Sequence, residues 1–277
     1  QIVIPIEERA NIQATVATAG QENVAEDKLG ILEPLRASLV LAQAGASYMT
    51  GLVGNVSIPV YSGSNVGWAG EVTAASDGAG TFSEVNLEPK RLTAYIDVSK
   101  QFLIQDSNSA EEMLKRDIVS AISNKLEATI LGTAAGSATQ PAVFLNGVTA
   151  DTAAVTYTDF VNMEATLGEK NVRGDIKFIV SPSAKAVLKS TAKNQNSFIM
   201  EGNEVNGYPV LCTSAVAGKG IVYGNFADLV IGQWGGIDLT VDPYTQAANG
   251  KVRLVINAYF DAKPRRTEAF VKKVLKA

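Results

Sequence analysis

The chain has no histidine and a single cysteine, Cys212, among its 277 residues. Without imidazole it lacks the commonest general base and the usual transition-metal ligand, and one thiol can form neither an internal disulfide nor a thiolate zinc site. A Ser-His-Asp hydrolase and a zinc enzyme are thereby excluded. Charge is also sparse: 19% of residues are Asp, Glu, Lys or Arg, against ~25% in ordinary soluble domains. The net charge of −4 lacks the basic excess that tight binding to a phosphate backbone requires, although loose enclosure of nucleic acid stays compatible with it. Nor is there a long hydrophobic run. The longest uncharged stretch, residues 37–70, is broken by Asn55, Pro59, Asn65 and several Gly and Ser, well short of the ~20 apolar residues of a membrane-spanning helix. No basic-then-apolar leader follows Gln1, and a start without Met is expected to reflect an upstream piece that was removed or omitted.

What is present is 46% apolar residues, enough for a sizeable core at this length and, with so little charge, for surfaces that suit self-association. Residues 1–31 mix polar and small residues with weak alternation and are expected to form an extended arm. A mixed helical stretch over 32–52, with Pro34 near its start, leads into Val56-Ser57-Ile58-Pro59-Val60-Tyr61, an alternating strand that Pro59 assigns to a sheet edge. The Gly- and Ser-rich residues that follow predict the tip of a long hairpin, which returns through Phe82-Ser83-Glu84-Val85-Asn86-Leu87. After Pro89, Leu92, Ala94, Ile96 and Val98 share one face of a strand, with Thr93, Tyr95 and Asp97 opposite.

Ser109-Ala110-Glu111-Glu112 has the spacing of a capping box and opens an amphipathic pattern through Met113, Leu114, Ile118, Ala121, Ile122, Leu126 and Ile130. One long helix is expected, ending near Gly132. Small uncharged residues over 132–150 predict a crossover between domains. Alternating α and β segments follow: a helix over 158–168, a strand over 175–180, and a helix opened by Ser181-Pro182. After a loop at 194–206 come strands at 208–213, 220–223, 229–232 and 237–241. Two more, at 251–260 and 268–274, are joined around Pro264-Arg265-Arg266.

Few motifs point to chemistry. Ser190-Thr191-Ala192-Lys193 has S-x-x-K spacing, but the companion S-D-N and K-T-G elements are absent. The pairs Glu7-Glu8 and Glu111-Glu112 are sequence neighbours whose carboxylates diverge, which suits solvation and capping better than joint acid-base work. Gly232-Gln233-Trp234-Gly235-Gly236 reads as a turn between strands, and Asn55-Val56-Ser57 as a chance glycosylation match. No catalytic, cofactor-binding or metal-binding residue emerges. Two features suit contact with another molecule. Trp68 and Glu71 sit in a Gly-rich excursion far from any expected core, and Arg265 and Arg266, with Lys263, Lys272, Lys273 and Lys276, make the C-terminal end basic.

Several segments in order carry a family likeness: Val66-Gly67-Trp68-Ala69-Gly70-Glu71, then Thr81 through Leu92, then Val98-Ser99 through Asp106-Ser107. To these are added Gly207-Tyr208-Pro209-Val210, the run Tyr223-Gly224-Asn225-Phe226-Ala227-Asp228-Leu229-Val230-Ile231-Gly232, and Arg266-Thr267-Glu268-Ala269-Phe270-Val271. Each is weak alone, but in this order they resemble the major capsid proteins of tailed phages, of the Hong Kong 97-like fold, over most of the chain.

The resemblance implies an α+β fold divided into an N-terminal arm and linking helix (1–56), an extended β-hairpin loop (57–92), a discontinuous peripheral domain (93–138 and 245–277) with a long spine helix at about 109–133, and an axial α/β domain (139–244). It implies a virion protein, assembled in the bacterial host cytoplasm as pentamers and hexamers of an icosahedral shell around double-stranded DNA, which it does not bind by sequence and without any membrane. Implied partners are further copies of the chain, a portal, possible decoration proteins and a maturation protease whose cut would leave Gln1 first. Trp68, Glu71, Arg265 and Arg266 are then the candidate inter-subunit contacts. Some relatives weld subunits through a loop Lys, an Asn and a Glu. Here no Lys lies between Lys28 and Lys90 and no Glu between Glu204 and Glu268, so an uncrosslinked shell is expected. The alternatives are an encapsulin-type shell packing cargo enzyme and, from another class, a His-free hydrolase built on Ser190 and a desolvated Lys193.

Overall fold

Two sheets and one long helix organise the chain in a computed structural model, which describes residues 40–74, 76–101, 107–141 and 144–276, without the side chains of residues 107–115 and 119. The strands are β1 (Ser47–Met49), β2 (Val56–Tyr61), β3 (Phe82–Leu87), β4 (Lys90–Ser99), β5 (Ile176–Val180), β6 (Ala192–Asn194), β7 (Ser197–Phe198), β8 (Met200–Glu201), β9 (Glu204–Val205), β10 (Tyr208–Cys212), β11 (Gly220–Asn225), β12 (Leu229–Asp242), β13 (Lys251–Pro264) and β14 (Phe270–Val274). The α-helices are α1 (Val40–Ala44), α2 (Ser107–Ile130), α3 (Tyr157–Glu169) and α4 (Pro182–Ser190).

The first sheet has the order β1-β12-β13-β4. Its centre is β13, paired antiparallel with β12 on one side and with β4 on the other, from Lys251↔Ser99 to Phe260↔Lys90. The second sheet has the order β14-β11-β5-β10-β9-β8, with β5 and β10 parallel. Alternation along its central strands sends side chains both ways: Phe178, Val180, Ile221 and Tyr223 face α3 and α4, while Ile179 and Val222 face the opposite side. There they meet the stripe of α2. Ile118, Ile122, Leu126 and Ile130, four residues apart, are all buried and pack in one cluster with Ile231, Ile256 and Phe260 of the first sheet. At about 1.5–3 kcal/mol for each fully buried side chain of this size, that stripe is what joins the two sheets.

Local chemistry explains the shorter helices. Ser181 Oγ accepts the N–H of Ala184 at 3.0 Å and Pro182 occupies the first turn of α4, as its sequence predicts. Thr156 and Asp159 form a capping box on α3, with the Thr156 N–H donating to Asp159 Oδ2 at 2.7 Å.

Among the described residues the hairpin β2–β3 forms a two-stranded sheet, in register from Val56↔Leu87 to Tyr61↔Phe82. Its root is fixed to the first sheet. Leu87 is buried against Val230 and Trp234, and Trp234 Nε1 donates to the Gly54 carbonyl at 2.6 Å. Beside it Lys90 Nζ lies 3.0 Å from Asp261 Oδ2, both side chains being buried, and the same carboxylate oxygen accepts the Glu88 N–H at 3.1 Å.

Several expectations are corrected. Within 32–52 the described helix is only α1; Gly45, at φ +100°, ends it, and β1 then pairs parallel with β12. The long helix is already formed at Ser107, so Ser109 lies inside it rather than at its cap. The expected loop 194–206 holds the short strands β7, β8 and β9. Gly232–Gly236 is no turn: β12 runs through it, and between Trp234 and Asp238 a four-residue step faces only the two-residue step from Tyr259 to Asn257. Because β13 is unbroken opposite, the surplus is absorbed as a bulge, with Gly235 at φ +64°. The crossover at 132–150 contributes Phe144 and Leu145 to the core. The expected arm, Glu7-Glu8 and the side chains of Glu111 and Glu112 lie outside the described residues.

Candidate inter-subunit surfaces

The Ser190/Lys193 pair does not assemble a nucleophile. Ser190 Oγ donates to the Val187 carbonyl at 3.0 Å at the end of α4, and Lys193 Nζ sits 4.0 Å from the centroid of the Tyr157 ring. The hydroxyl and the ammonium are thus committed to different partners. Among the described residues no group of three His, Cys, Asp or Glu could hold a metal ion, and no helix is long and apolar enough to cross a membrane.

The hairpin is the most exposed apolar element described. Beyond Tyr61↔Phe82 its two arms stay joined by Ser62 N–H to Thr81 O and Asn65 N–H to Gly78 O, each 3.0 Å. Gly78 and Gly80 permit this approach, since a Cβ there would lie 2.1 Å from Asn65 O and 2.2 Å from Gly63 O. At the tip Val66, Trp68 and Val72 stand fully in solvent beside the exposed Glu71, and Phe82 is largely exposed lower down. Such a grouping of large apolar side chains in water makes the tip a candidate contact surface.

Arg265 and Arg266 follow β13. The Arg265 N–H donates to Asp228 O at 2.7 Å, which holds the turn, and Arg265 Nε is buried with no hydrogen-bond partner; Arg266 is exposed. Both line a cavity of about 960 Å³ together with Val60–Gly63 at the outer end of β2 and with Lys170 and Arg173. The structure therefore brings the two arginines together with the outer end of β2, while Trp68 and Glu71 occupy the tip beyond it.

Sequence reading missed the ionic ties that brace these surfaces. Lys90 and Asp261 form the buried pair at the hairpin root. Arg253 grips Asp97 through Nε at 2.7 Å and Nη2 at 2.9 Å while stacking 4.3 Å from the Tyr95 centroid, and this hydrogen bonding holds the Asp97 carboxyl below its ordinary range. Lys273 on β14 reaches Asp151 at 2.9 Å and Asp159 at 2.8 Å. Burial works against the charged form of Asp159, but hydrogen bonds from Lys273 and Thr156 outweigh it and lower its pKa. Burial likewise opposes the Lys273 ammonium, and the two carboxylates outweigh it and raise its pKa. The alternation of β4 put Asp97 on the outer face; its partner became visible only with the register to β13.

The profile of the phage capsid family matches residues 27–275. A major capsid protein of Halomonas phage phiHAP-1 is 29% identical over 249 residues, covering 86% of this chain and 41% of that protein, so the chain spans about two-fifths of that relative's length. Among solved structures the fold is similar to the capsid of a native GTA particle (TM-score 0.69, 18% identity, 96% of this chain and 99% of the other). It is also similar to structures from Microbacterium phage Oxtober96 (0.69, 12%, 96% and 100%) and Gordonia phage Cozz (0.63, 14%, 100% and 99%). At these identities the likeness to the solved structures is one of fold.

Proposed function

The chain belongs to the phage capsid family, and from that premise we propose that it is the repeating structural subunit of a phage head, working by assembly rather than catalysis. The observation that carries the reading is the hairpin. A two-stranded ribbon is marginal alone in water, and this one holds Trp68, Val66 and Val72 in solvent at its tip, a waste of apolar area in a monomer and a contact surface in a shell. Trp68 and Glu71 at the tip and Arg265 and Arg266 beside the outer end of β2 are the proposed inter-subunit contacts.

In this reading the subunits form pentamers and hexamers that close an icosahedral shell around double-stranded DNA, with a portal and a maturation protease as further partners. Assembly takes place in the bacterial cytoplasm and the product is the virion. The hairpin acts as the extended loop. The sheet of β4, β12 and β13 with α2 acts as the peripheral domain, and the sheet around β5, β10 and β11 as the axial domain. The boundary expected at 244 falls between β12 and β13, which pair along their length, and β14 hydrogen-bonds to β11, so β12 is better counted as peripheral and β14 as axial. The missing loop lysine supports a shell held without covalent crosslinks.

Size-exclusion chromatography with light scattering, and negative-stain microscopy of the same fractions, tests the proposal. Rings of five or six, or hollow shells, are expected; a monomer at every concentration would overturn it. Boiled and reduced particles are expected to run as a single subunit band, and a ladder of multiples would contradict the uncrosslinked shell.

A further inference from the structure

A second cavity, of about 350 Å³, lies between β3 of the hairpin and the body. Val85 of β3, Ile130 at the end of α2, Phe144, Leu229 and Pro264 give it mostly apolar walls. The Phe144 ring is fixed from other sides, its centroid 4.8 Å from that of Phe270 and 6.3 Å from that of Phe226, so this wall is preformed. β14 brings a lysine to it. Alternation along the strand sends Lys273 to one side, where it takes Asp151 and Asp159, and turns Lys272 to the other, with Phe270 and Val274. There Lys272 Nζ lies 5.7 Å from the Phe144 centroid, and among the described residues it makes no ion pair. Burial pushes its pKa below the ordinary 10.5.

The other charged groups of the lining are already engaged. Lys263 Nζ donates to the Asn86 carbonyl, and the exposed Glu84 accepts the Ser57 hydroxyl at 2.9 Å without pairing to either lysine. Two cations and one acid leave the cavity one positive charge in excess. A neutral hydrocarbon would leave the Lys272 ammonium facing apolar groups, and a phosphate dianion would meet too little positive charge. We infer that this cavity binds an amphipathic monoanion, an alkyl or aryl carboxylate whose hydrocarbon lies against Ile130, Phe144 and Leu229 and whose carboxylate pairs with Lys272. The space is more than twice the ~150 Å³ that holds benzene in an apolar protein cavity, so a chain of medium length fits. Because Val85 belongs to β3 and the other walls to the body, such a ligand would tie the hairpin to the body beside its root. The site is a property of the single chain and goes beyond the capsid reading.

Calorimetric titration of the unassembled chain with octanoate tests the site, with octanol as the uncharged probe of the same length. One octanoate per chain is expected, bound about tenfold or more tighter than octanol, the margin of a single charge-assisted pair. Lys272→Met removes the charge and keeps an unbranched side chain, and is expected to erase that margin while octanol binding stays. Amide exchange supplies the location: octanoate is expected to slow exchange in β3, residues 82–87, and to leave α4 unchanged. No saturable binding, equal affinity for octanoate and octanol, or a margin that survives in Lys272→Met overturns the inference. Should that variant fail to fold by circular dichroism, the exchange measurement on the parent chain decides, and octanoate binding that leaves residues 82–87 unchanged overturns the inference. Failure of the same chain to form rings bears on the capsid reading alone.

Discussion

The pair β12–β13 and the pair β2–β3 are both antiparallel ribbons, yet among the described residues only the first is built into a larger sheet. β13 has a partner on each side, and Ile256 and Phe260 are buried against α2. Among the described residues β2–β3 has no third strand, and its apolar tip residues meet water. A ribbon needs a further strand or a packed face to be stable, so in the proposed reading the contrast separates a body that folds alone from an arm that other copies finish. The boundary between the two is the root, where Leu87, Trp234 and the Lys90–Asp261 pair bind the arm to the body.

Cutting that boundary gives the largest expected effect. Asp261→Ala leaves the Lys90 ammonium buried without its counter-charge, and urea unfolding is expected to show a loss of about 3–5 kcal/mol. Within the body, Leu126→Ala empties a site shared by both sheets and should cost about 2–5 kcal/mol in the same assay, with the hairpin unaffected. The ties between α3 and β14 give a smaller effect that pH sharpens. The Asp159 carboxyl is held below its ordinary value of 3.8, so its stabilisation is complete above that pH and is lost as pH falls through the lower, folded value. Lys273 is raised above 10.5, so its share is complete below 10.5 and is lost as pH climbs through the raised value. Unfolding curves of Lys273→Met should therefore lie closest to the parent at the two extremes and farthest from it near neutrality. The smallest effect on stability belongs to Trp68→Ala, expected within about 0.5 kcal/mol because the side chain touches so little of its own subunit, while ring yield drops sharply. A variant that lowered the melting temperature as much as Leu126→Ala would erase the distinction between arm and body.

Much of this architecture is written locally. The hydroxyl and proline that open α4, the four-residue stripe of α2, the alternation of β4 and the glycine-rich tip between β2 and β3 each follow from nearest neighbours in sequence. What escaped depends on partners far along the chain. Gly232–Gly236 has the composition of a turn and becomes a bulge only because β13 runs unbroken beside it. β1 looks like helix until β12 offers it an edge. Nothing local links Lys90 to Asp261; the register that sets Lys90 opposite Phe260 brings the two together. The same holds for the basic cavity. Arg265 and Arg266 stand out in sequence, whereas Lys170 and Arg173 join them only through the fold.

Amide hydrogen exchange of the free chain and of the assembled particle tests the division between arm and body most directly. Amides of residues 56–87 are expected to exchange quickly in the free chain and to gain strong protection on assembly, while those of β12 and β13 are protected equally in both. Equal exchange of the hairpin in the free chain and in the particle would contradict the claim that other copies complete it.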